Sequence, residues 1–415
     1  MRSVGRACAL AAMLGLFGAQ DALAAGFQNT TQSATATSMA SMGTANPDEP
    51  NSNFYNPAML ALRKRWSVYV GDTVLLPSTS FKDPDTGAET KTVAQTFPPP
   101  NLHIGVPIGD TGAAVGFGVA FPYGLGIEWP QGWKGEELII SQDLQTINLN
   151  PNVAYKLPIE GINLALAVGA QVNLVSIELV RNTRARDDVT VKTQLGGSAT
   201  SYGVTAGLAF QPNEMLHFGL NFRSGSTVKA DDGKAHFEGE EGTAVEGTFK
   251  DQTIKAELNL PHMITLGSGV TLLDKKLFIG LDIVYTTWSD NDKISVQFED
   301  PALGQQNLIY NWNDAFAFRL GSQYQINENI KARVGFAYDM TPIPEETLSP
   351  SLPGNNRIAA SAGVGYTIKG VRADVGYQFV KALEREVSPE VNTNLPGTYN
   401  TLAHILAINV GYGFD

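Results

Sequence analysis

The chain has 415 residues and a net charge of −12, a size that allows two or three globular domains or one large all-β structure. The negative charge, with no basic block to offset it, disfavours nucleic acid as a partner. Cys8 is the single cysteine, which excludes an internal disulfide.

Residues 1–24 have the pattern of a secretory signal peptide. Two arginines are followed by an apolar stretch over 7–19 and by small residues just before Ala25, where we expect the mature chain to begin. Cleavage there also removes Cys8, which leaves no thiol nucleophile and no cysteine-ligated metal. No later stretch reaches the roughly 18 consecutive apolar residues that a membrane-spanning helix needs. Export therefore leads to the periplasm, the outer membrane or the medium.

The segment 25–65 is rich in Ala, Ser, Thr, Asn and Gly and shows neither helical nor alternating apolar periodicity. A polar, irregular segment of this kind is usually a disordered tail. Its end differs, because Phe54, Tyr55 and the tripeptide Asn56-Pro57-Ala58 are apolar or turn-forming residues that can pack inside a larger structure. We predict that 25–65 is an N-terminal plug in the lumen of a barrel formed by 66–415.

From Trp66 to the C-terminus the apolar residues recur with period two, which is typical of β-strands. The last segment is the clearest, with Leu402, Leu406, Val410 and Phe414 on one face and mainly small or polar residues on the other. Strands that cross a membrane are longer than most strands of soluble sandwiches, at about 9–11 residues. Apolar residues outside and polar residues inside predict a transmembrane β-barrel.

The connections between these segments alternate in length. The short ones include 109–111, 158–161, 212–214, 273–276, 327–329 and 369–370. The long ones cover 78–97, 126–141, 183–196, 231–251, 299–307, 342–356 and 388–400. Tight turns on one side and long loops on the other are typical of outer-membrane barrels. The count predicts an all-β antiparallel barrel of about 14 strands with both chain ends in the periplasm.

The third strand, expected over 112–124, contains residues that weaken a regular ladder. Gly116 and Gly118 have no side chains, and Pro122 has no amide hydrogen to donate. We expect a break in strand pairing near Phe121 and Pro122, which would provide a lateral gate. The alternative is that the small residues only make room for the plug.

Nothing in the sequence indicates catalysis, so we expect no enzyme, no cofactor and no metal. The histidines lack metal-ligand spacing, and no nucleophile elbow or phosphate-binding loop is present. The acidic run 231–246 is most simply a solvated extracellular loop. Trp129 and Trp133 lie in the second long loop and either anchor the chain at the membrane boundary or form an apolar landing groove for substrate.

Several short motifs occur in order along nearly the whole mature chain. They are Ala25-Gly26-Phe27-Gln28, Asn56-Pro57-Ala58, the stretch 150–155, Leu260-Pro261-His262, the stretch 282–289, Trp312-Asn313-Asp314, the stretch 338–342 and the stretch 352–357. In order and spacing they resemble those of the FadL/TodX family of outer-membrane transporters for long-chain fatty acids and other hydrophobic compounds.

The resemblance implies a 14-stranded barrel with a lumenal hatch and a lateral opening at a kinked third strand. It also implies that substrate is captured outside by a hydrophobic groove, moves to a pocket near the N-terminus and leaves sideways into the membrane. The positions that it assigns to the pocket or gate are Phe27, Asn56, Pro57, Ala58, Gly116, Gly118, Phe121 and Pro122.

One departure from the family concerns the substrate headgroup. Members can carry a basic residue just before the Asp of the tenth strand, and here that position is Asn313. Arg319 is also expected to face inward from the alternating pattern, so it could replace the missing basic residue, as could Arg181, Arg333 or Arg357. Each could instead pair with an inward carboxylate, because an unpaired buried charge is costly. The candidate carboxylates are Asp282, Asp339 and Asp374.

The leading hypothesis is passive uptake of long-chain fatty acids or other hydrophobic compounds by a monomer in the Gram-negative outer membrane, in contact with lipid and lipopolysaccharide. Aromatic or aliphatic hydrocarbons are the alternative cargo. A water-filled general porin is the main rival in mechanism, and a structural or adhesive barrel is a third class.

Overall fold

The structure, a computed structural model, describes residues 26–186, 189–239, 249–392 and 394–413. The expected leader 1–24, the expected first mature residue Ala25 and part of the acidic run 231–246 lie outside these ranges. Within them, no helix has the length and apolar character needed to cross a membrane.

Short helices precede a long series of strands. The helices are α1 (Ala34–Thr37), α2 (Ser52–Tyr55) and two 3-10 helices, Pro57–Leu62 and Trp288–Asp290. The strands are β1 (Ser67–Lys82), β2 (Glu89–Lys91), β3 (Pro100–Pro107), β4 (Ala113–Ala120), β5 (Gly124–Glu128), β6 (Ser141–Lys156), β7 (Asn163–Arg186), β8 (Val189–Gln211), β9 (Leu216–Arg223), β10 (Ser226–Glu238), β11 (Gln252–Leu260), β12 (Met263–Leu272), β13 (Leu277–Thr286), β14 (Lys293–Phe298), β15 (Gln305–Ile309), β16 (Ala315–Gln325), β17 (Ile330–Asp339), β18 (Arg357–Ile368), β19 (Val371–Ala382), β20 (Arg385–Val387) and β21 (Gly397–Tyr412).

In the described residues these segments form one antiparallel sheet that closes into a barrel of 14 crossings, as predicted. Seven of the crossings consist of two segments in succession, such as β4 with β5 and β9 with β10. The barrel closes where β1 pairs with β21, from Val68 opposite Tyr412 to Lys82 opposite Thr398. All six of the named short connections join consecutive strands at one end of the barrel, here called the turn end. The opposite end is the loop end.

Alternate side chains along each strand face opposite sides of the wall. The outward side chains are apolar and exposed, with exposed fractions of 61% for Val168, 72% for Tyr202 and 58% for Val334. The inward side chains include buried amides and hydroxyls such as Asn148 and Thr205. An apolar outer surface around a polar interior indicates that lipid surrounds the wall, which agrees with the predicted transmembrane barrel.

Several predicted loops overlap strands, most of all two of them. In the stretch 183–196, the described residues belong to β7 and β8, which continue their ladder as a hairpin. Residues 231–238 likewise belong to β10. In 183–196 valine and threonine recur among charged residues, and β-branched residues favour strands in water as well as in lipid. The polarity of the loop end therefore does not mark where the strands stop.

The segment that precedes β1, here called the lumenal segment (26–65), corresponds to the predicted plug. Nearly all of its residues up to Leu60 are buried, and it contacts strands on every side of the interior. The amide of Ala34 donates to Asn409 Oδ1 at 2.8 Å, and those of Gly43 and Thr44 donate to Asp282 Oδ2 at 2.9 Å. Asn56 Nδ2 donates to Leu208 O at 3.0 Å. The barrel interior thus supplies the hydrogen bonds that this irregular backbone needs.

Glycines line the wall where the lumenal segment touches it. A Cβ at Gly335 would lie 2.3 Å from Met39 C, one at Gly376 2.4 Å from Ala34 O, and one at Gly219 2.4 Å from Thr44 O. The glycines that meet the lumenal segment in this way form the glycine belt: Gly105, Gly116, Gly207, Gly219, Gly267, Gly280, Gly321, Gly335, Gly363 and Gly376. The belt lets backbone approach backbone, because no side chain separates the two.

An ionic cluster also anchors the lumenal segment at the turn end. Asp48 Oδ1 lies 2.7 Å from Lys331 Nζ and 3.2 Å from Arg372 Nη1. Asp374 completes the cluster, 2.6 Å from Arg372 Nε and 2.7 Å from Arg333 Nη1. Burial alone would raise the pKa of Asp48, but the charges of Arg372, Lys331 and Arg333 hold it well below its ordinary value. Asp48 is therefore ionised throughout the physiological range.

The pKa of the neighbouring Glu49 is shifted in the opposite direction. Its Oε1 accepts hydrogen bonds from Ser33 Oγ at 2.8 Å and from the Asn51 amide at 2.9 Å. Its Oε2 has no hydrogen-bond partner among the described residues. Burial raises the pKa of Glu49 to about 7, although these hydrogen bonds and the charges of Arg372 and Arg333 oppose the shift. The lumenal segment therefore holds one carboxyl group that is neutral in mildly acidic medium.

The glycine belt predicts a specific sensitivity to added volume. Gly335→Ala should lower the free energy of unfolding by about 1–3 kcal/mol, because the new methyl group overlaps the Met39 backbone. Gly196→Ala is the matched control, since a Cβ there meets Ile177 O at 3.7 Å and no part of the lumenal segment. The midpoint of urea unfolding from lipid vesicles measures both variants. Equal effects at the two positions would contradict the close packing of the lumenal segment.

Glu49 predicts a pH dependence of stability. Its pKa in the fold, about 7, lies above its ordinary 4.5, so its favourable contribution is complete below pH 4.5 and is lost as pH rises through 7. Glu49→Gln should therefore stabilise the protein at pH 8.5 by up to about 3 kcal/mol and have little effect near pH 5. Urea unfolding at the two pH values measures this. Asp48→Asn is the control and should destabilise at both values, and a pH-independent effect of Glu49→Gln would contradict the assignment.

Candidate functional site

The third crossing is interrupted between β4 and β5, where the sequence analysis expects a break. The N-terminal part of the lumenal segment bonds to the interrupted backbone. The Asn29 amide donates to Pro122 O at 2.7 Å, the Gly124 amide donates to Phe27 O at 2.9 Å, and the Phe121 amide donates to Gln32 Oε1 at 2.9 Å. The interruption therefore projects towards the lumen and is held there by 27–32.

Beyond this interruption one edge of the third crossing is nearly open. β5 pairs with β6 on one side, and in the part of the chain that the structure describes no strand pairs with its other edge. The contacts that cross this edge are sparse. The Val93 amide donates to Glu128 O at 2.8 Å, and Gln95 Nε2 donates to Glu128 Oε2 at 3.3 Å. An edge held by so few hydrogen bonds would separate at lower cost than a regular ladder.

Phe27 lies in a cluster of aromatic rings beside the interruption. Its ring centroid is 4.9 Å from that of Trp288, 5.7 Å from Trp312 and 6.0 Å from Tyr123. Gly26 has a φ of +65°, and a Cβ there would lie 2.7 Å from the Trp288 ring. Edge-to-face packing of this kind fixes the start of the described chain at the loop end of the lumen.

A largely apolar cavity lies between β5 and the nearby strands β1, β19 and β21. Part of it is open to solvent. Leu125 and Ile127 of β5 line one side, and Val380 and Ala382 of β19 line another. Thr92 and Gln95, from the chain that borders the open edge of β5, complete the wall. The cavity therefore adjoins the weakly paired edge.

Arg357 brings a positive charge to this apolar cavity. It also lines a second, polar cavity formed by residues 28–31 of the lumenal segment together with Arg319, Asp339 and Gln378. Its Nη2 donates to Asp339 Oδ2 at 3.0 Å, and Arg319 Nη2 lies 3.5 Å from Asp339 Oδ1. Two arginines thus share one carboxylate at the junction of an apolar and a polar space. Such a junction suits a molecule with a long apolar body and an anionic head.

The other candidate arginines lie elsewhere. Arg333 belongs to the Asp48 and Asp374 cluster. Arg181 donates to Gln306 Oε1 at 3.2 Å near the loop end. Arg319, which the sequence analysis names first, also donates to Ala40 O at 3.3 Å in the lumenal segment.

The other residues predicted for the site do not lie together. Asn56 caps the following 3-10 helix by accepting from the Ala58 amide at 3.2 Å, so Asn56-Pro57-Ala58 anchors the end of the lumenal segment. Gly116 and Gly118 face Asn53, with a hypothetical Cβ 2.1 Å and 3.0 Å from its side-chain atoms. The structure does not bring this group to the cavity. It favours the alternative in which the third-strand glycines make room for the lumenal segment.

Trp129 and Trp133 stack on each other with ring centroids 4.2 Å apart. Both are buried, and their indole nitrogens donate to Pro350 O and Ile139 O. They therefore belong to an apolar core at the loop end and present no exposed groove in this structure. A landing role for them stays a prediction.

Sequence reasoning did not single out Leu125, Ile127, Val380 and Ala382 as cavity residues. A signal was available, because Leu125 and Val380 are buried apolar residues on strands whose inward side is otherwise largely polar. Apolar residues on the inward parity indicate a space that water does not fill.

Comparisons with known proteins agree with this architecture. A family model described as "Outer membrane protein transport protein (OMPP1/FadL/TodX)" matches residues 15–414. Outer membrane protein P1 of Haemophilus influenzae is 27% identical, with 86% of this chain and 88% of that protein covered. The long-chain fatty acid transport protein of Escherichia coli K12 is 26% identical, with 90% and 91% covered.

Solved structures share the fold. A FadL homologue of Pseudomonas aeruginosa superposes with a TM-score of 0.82 at 19% identity, covering 94% of this chain and all of that one. The toluene transporter TodX of Pseudomonas putida gives 0.68 at 16% identity, with 95% and 99% covered. The chain therefore belongs to the OMPP1/FadL/TodX family of outer-membrane transport proteins.

Proposed function

We propose that this protein takes up long-chain fatty acids across the outer membrane by passive diffusion, through the weakly paired edge of β5. The observation that carries the proposal is the apolar cavity that adjoins this edge and contains the Arg357 guanidinium. An apolar molecule gains free energy in such a cavity because it leaves water, and a carboxylate head gains charge-assisted hydrogen bonds.

A lateral route is consistent with the packing of the lumenal segment. A molecule moving straight along the barrel axis would have to displace backbone that lies against the glycine belt and is held by the Asp48 cluster. A molecule leaving past β5 has to break only the sparse contacts of Val93 and Gln95 with Glu128. The lumenal segment thus acts as a plug, and the difference in contacts favours exit into the lipid.

Neutral hydrocarbons are the second candidate cargo. The guanidinium of Arg357 already pairs with Asp339, so a neutral molecule could occupy the apolar cavity and leave that ion pair intact. TodX, a structural neighbour, is a toluene transporter. Fatty acid and hydrocarbon therefore differ in whether uptake depends on Arg357.

The dependence on Arg357 can be measured directly. Arg357→Gln should weaken oleate binding about tenfold, because a charge-assisted hydrogen bond is lost, and should leave toluene binding unchanged. Tryptophan fluorescence titration in detergent with each ligand checks this. Arg181→Gln is the matched control, since Arg181 lines neither of the two cavities around Arg357. Unchanged oleate binding in Arg357→Gln would assign the cavity to neutral cargo.

The lateral route predicts that a cross-link over the open edge blocks uptake. The side chains of Gln95 and Glu128 meet at 3.3 Å, and the expected leader cleavage removes the only native cysteine, so Gln95→Cys with Glu128→Cys gives a pair without competing thiols. Oxidation should slow uptake of labelled oleate into whole cells at least about tenfold, and reduction should restore it.

The control for this experiment is a cross-link on an ordinary ladder. Lys229 and Glu257 face each other across β10 and β11, with Nζ and Oε2 3.3 Å apart. Lys229→Cys with Glu257→Cys should leave uptake unchanged in both redox states. If oxidation of the pair at 95 and 128 has no effect on uptake, cargo does not pass this edge.

A further inference from the structure

Four strand ends meet at the turn end of the barrel, on the outside of the wall. Ser67 pairs with Gly105, and Tyr412 lies between Val68 on one side and Val371 on the other. Gly413 joins them, because its amide donates to Gly370 O at 2.9 Å and its α-carbon packs against Trp66, where a Cβ would lie 1.9 Å from the carbonyl oxygen. The linker 64–66, the turn 369–370 and the end of β21 therefore form one concave surface, here called the turn-end recess.

Aromatic residues fix the height of the turn-end recess in the membrane. Trp66 and Tyr412 lie with ring centroids 5.4 Å apart, and their exposed fractions are 51% and 47%. Exposed Trp and Tyr on a barrel wall mark the boundary between headgroups and acyl chains. Beside this aromatic pair, Val106 and Val371 are exposed on the outer face and belong to the apolar surface of the wall. The turn end of such a barrel faces the periplasm, so this boundary belongs to the phospholipid leaflet.

The described lining of the recess carries more positive than negative charge, in an acidic protein. Among the described residues, Lys64, Arg65 and Lys369 line it together with the carboxylate of Asp110, against a net charge of −12 for the whole chain. All four side chains are in exposed residues. Cations placed at the headgroup level attract anionic lipid, each by an amount that corresponds to about fivefold in affinity. Lysine and arginine heads also extend towards phosphate while their stems cover apolar surface.

We propose that the turn-end recess binds one anionic phospholipid of the periplasmic leaflet. The lipid phosphate lies between the Lys64 and Lys369 side chains, and its acyl chains run along the wall past Val106 and Val371. A soluble anion would use the cations alone, whereas the recess combines them with an aromatic pair and an apolar surface below. The site lies on the outside of the barrel at the opposite end from the cavity that contains Arg357, so it does not depend on the proposed cargo.

Native mass spectrometry of the purified full-length mature protein tests the proposal with 1-palmitoyl-2-oleoyl-phosphatidylglycerol as the probe and the corresponding phosphatidylcholine as the neutral comparison. The wild-type protein should retain one phosphatidylglycerol in preference to phosphatidylcholine. Lys369→Gln should weaken retention about fivefold, and the combination with Lys64→Gln should weaken it further. Lys275→Gln with Lys276→Gln is the matched control, because it removes two cations from another turn at the same end and should have no effect.

Three outcomes would overturn the proposal. Equal retention of the two lipids would show that the charge of the recess is not used. Unchanged phosphatidylglycerol retention in the double variant at 64 and 369, with retention lost in the control, would move the site to the turn 273–276. Displacement of the lipid by millimolar glycerol phosphate would identify a site for a soluble phosphate instead. Intact heat-modifiable mobility on a gel shows that each variant is folded.

Discussion

The close approach of the lumenal segment to the barrel wall is the constraint on which the rest of the structure depends. An irregular polar backbone has no ladder of its own, so it must find partners in the wall, and it lies closest to the wall where glycine removes the side chain. Hydrogen bonds such as those of Gly43 and Thr44 to Asp282, and the ion pairs of Asp48, then fix its position. Because the interior is filled in this way, we propose a route through the wall rather than through a central pore.

The charged part of the interior is limited to one end of the barrel axis. Near the turn end the charged inward residues are paired in the cluster around Asp374. Towards the loop end apolar side chains replace them, and rings such as Trp288 and Trp129 are fully buried. The break after Ala120 lies at this transition, where Phe27 O and Gln32 take over hydrogen bonds that a neighbouring strand would otherwise make. The third crossing is therefore interrupted at the level along the barrel axis where the charged residues give way to apolar ones.

Period-two alternation and turn spacing were enough to predict the barrel, its 14 crossings and the short turns, because both depend on local chemistry. The break near Pro122 was also predictable, since proline lacks a ladder donor. The bounds at 183–196 were not, because strands of β-branched residues continue into water. The role of Gly116 was ambiguous because a missing side chain serves a gate and a close contact equally. Arg357 could not be separated from Arg319, because inward parity does not reveal which of the two guanidinium groups reaches the apolar cavity.

The closing seam between β1 and β21 has a consequence for biogenesis. The lumenal segment runs directly into β1, and the glycine belt leaves no clearance through which a folded interior could be threaded afterwards. Seating the segment before Val68 through Lys82 pair with the C-terminal strand avoids that passage. In that order, insertion of the lumenal segment and closure of the barrel are successive steps of one assembly reaction, and a chain that lacks the segment closes around water.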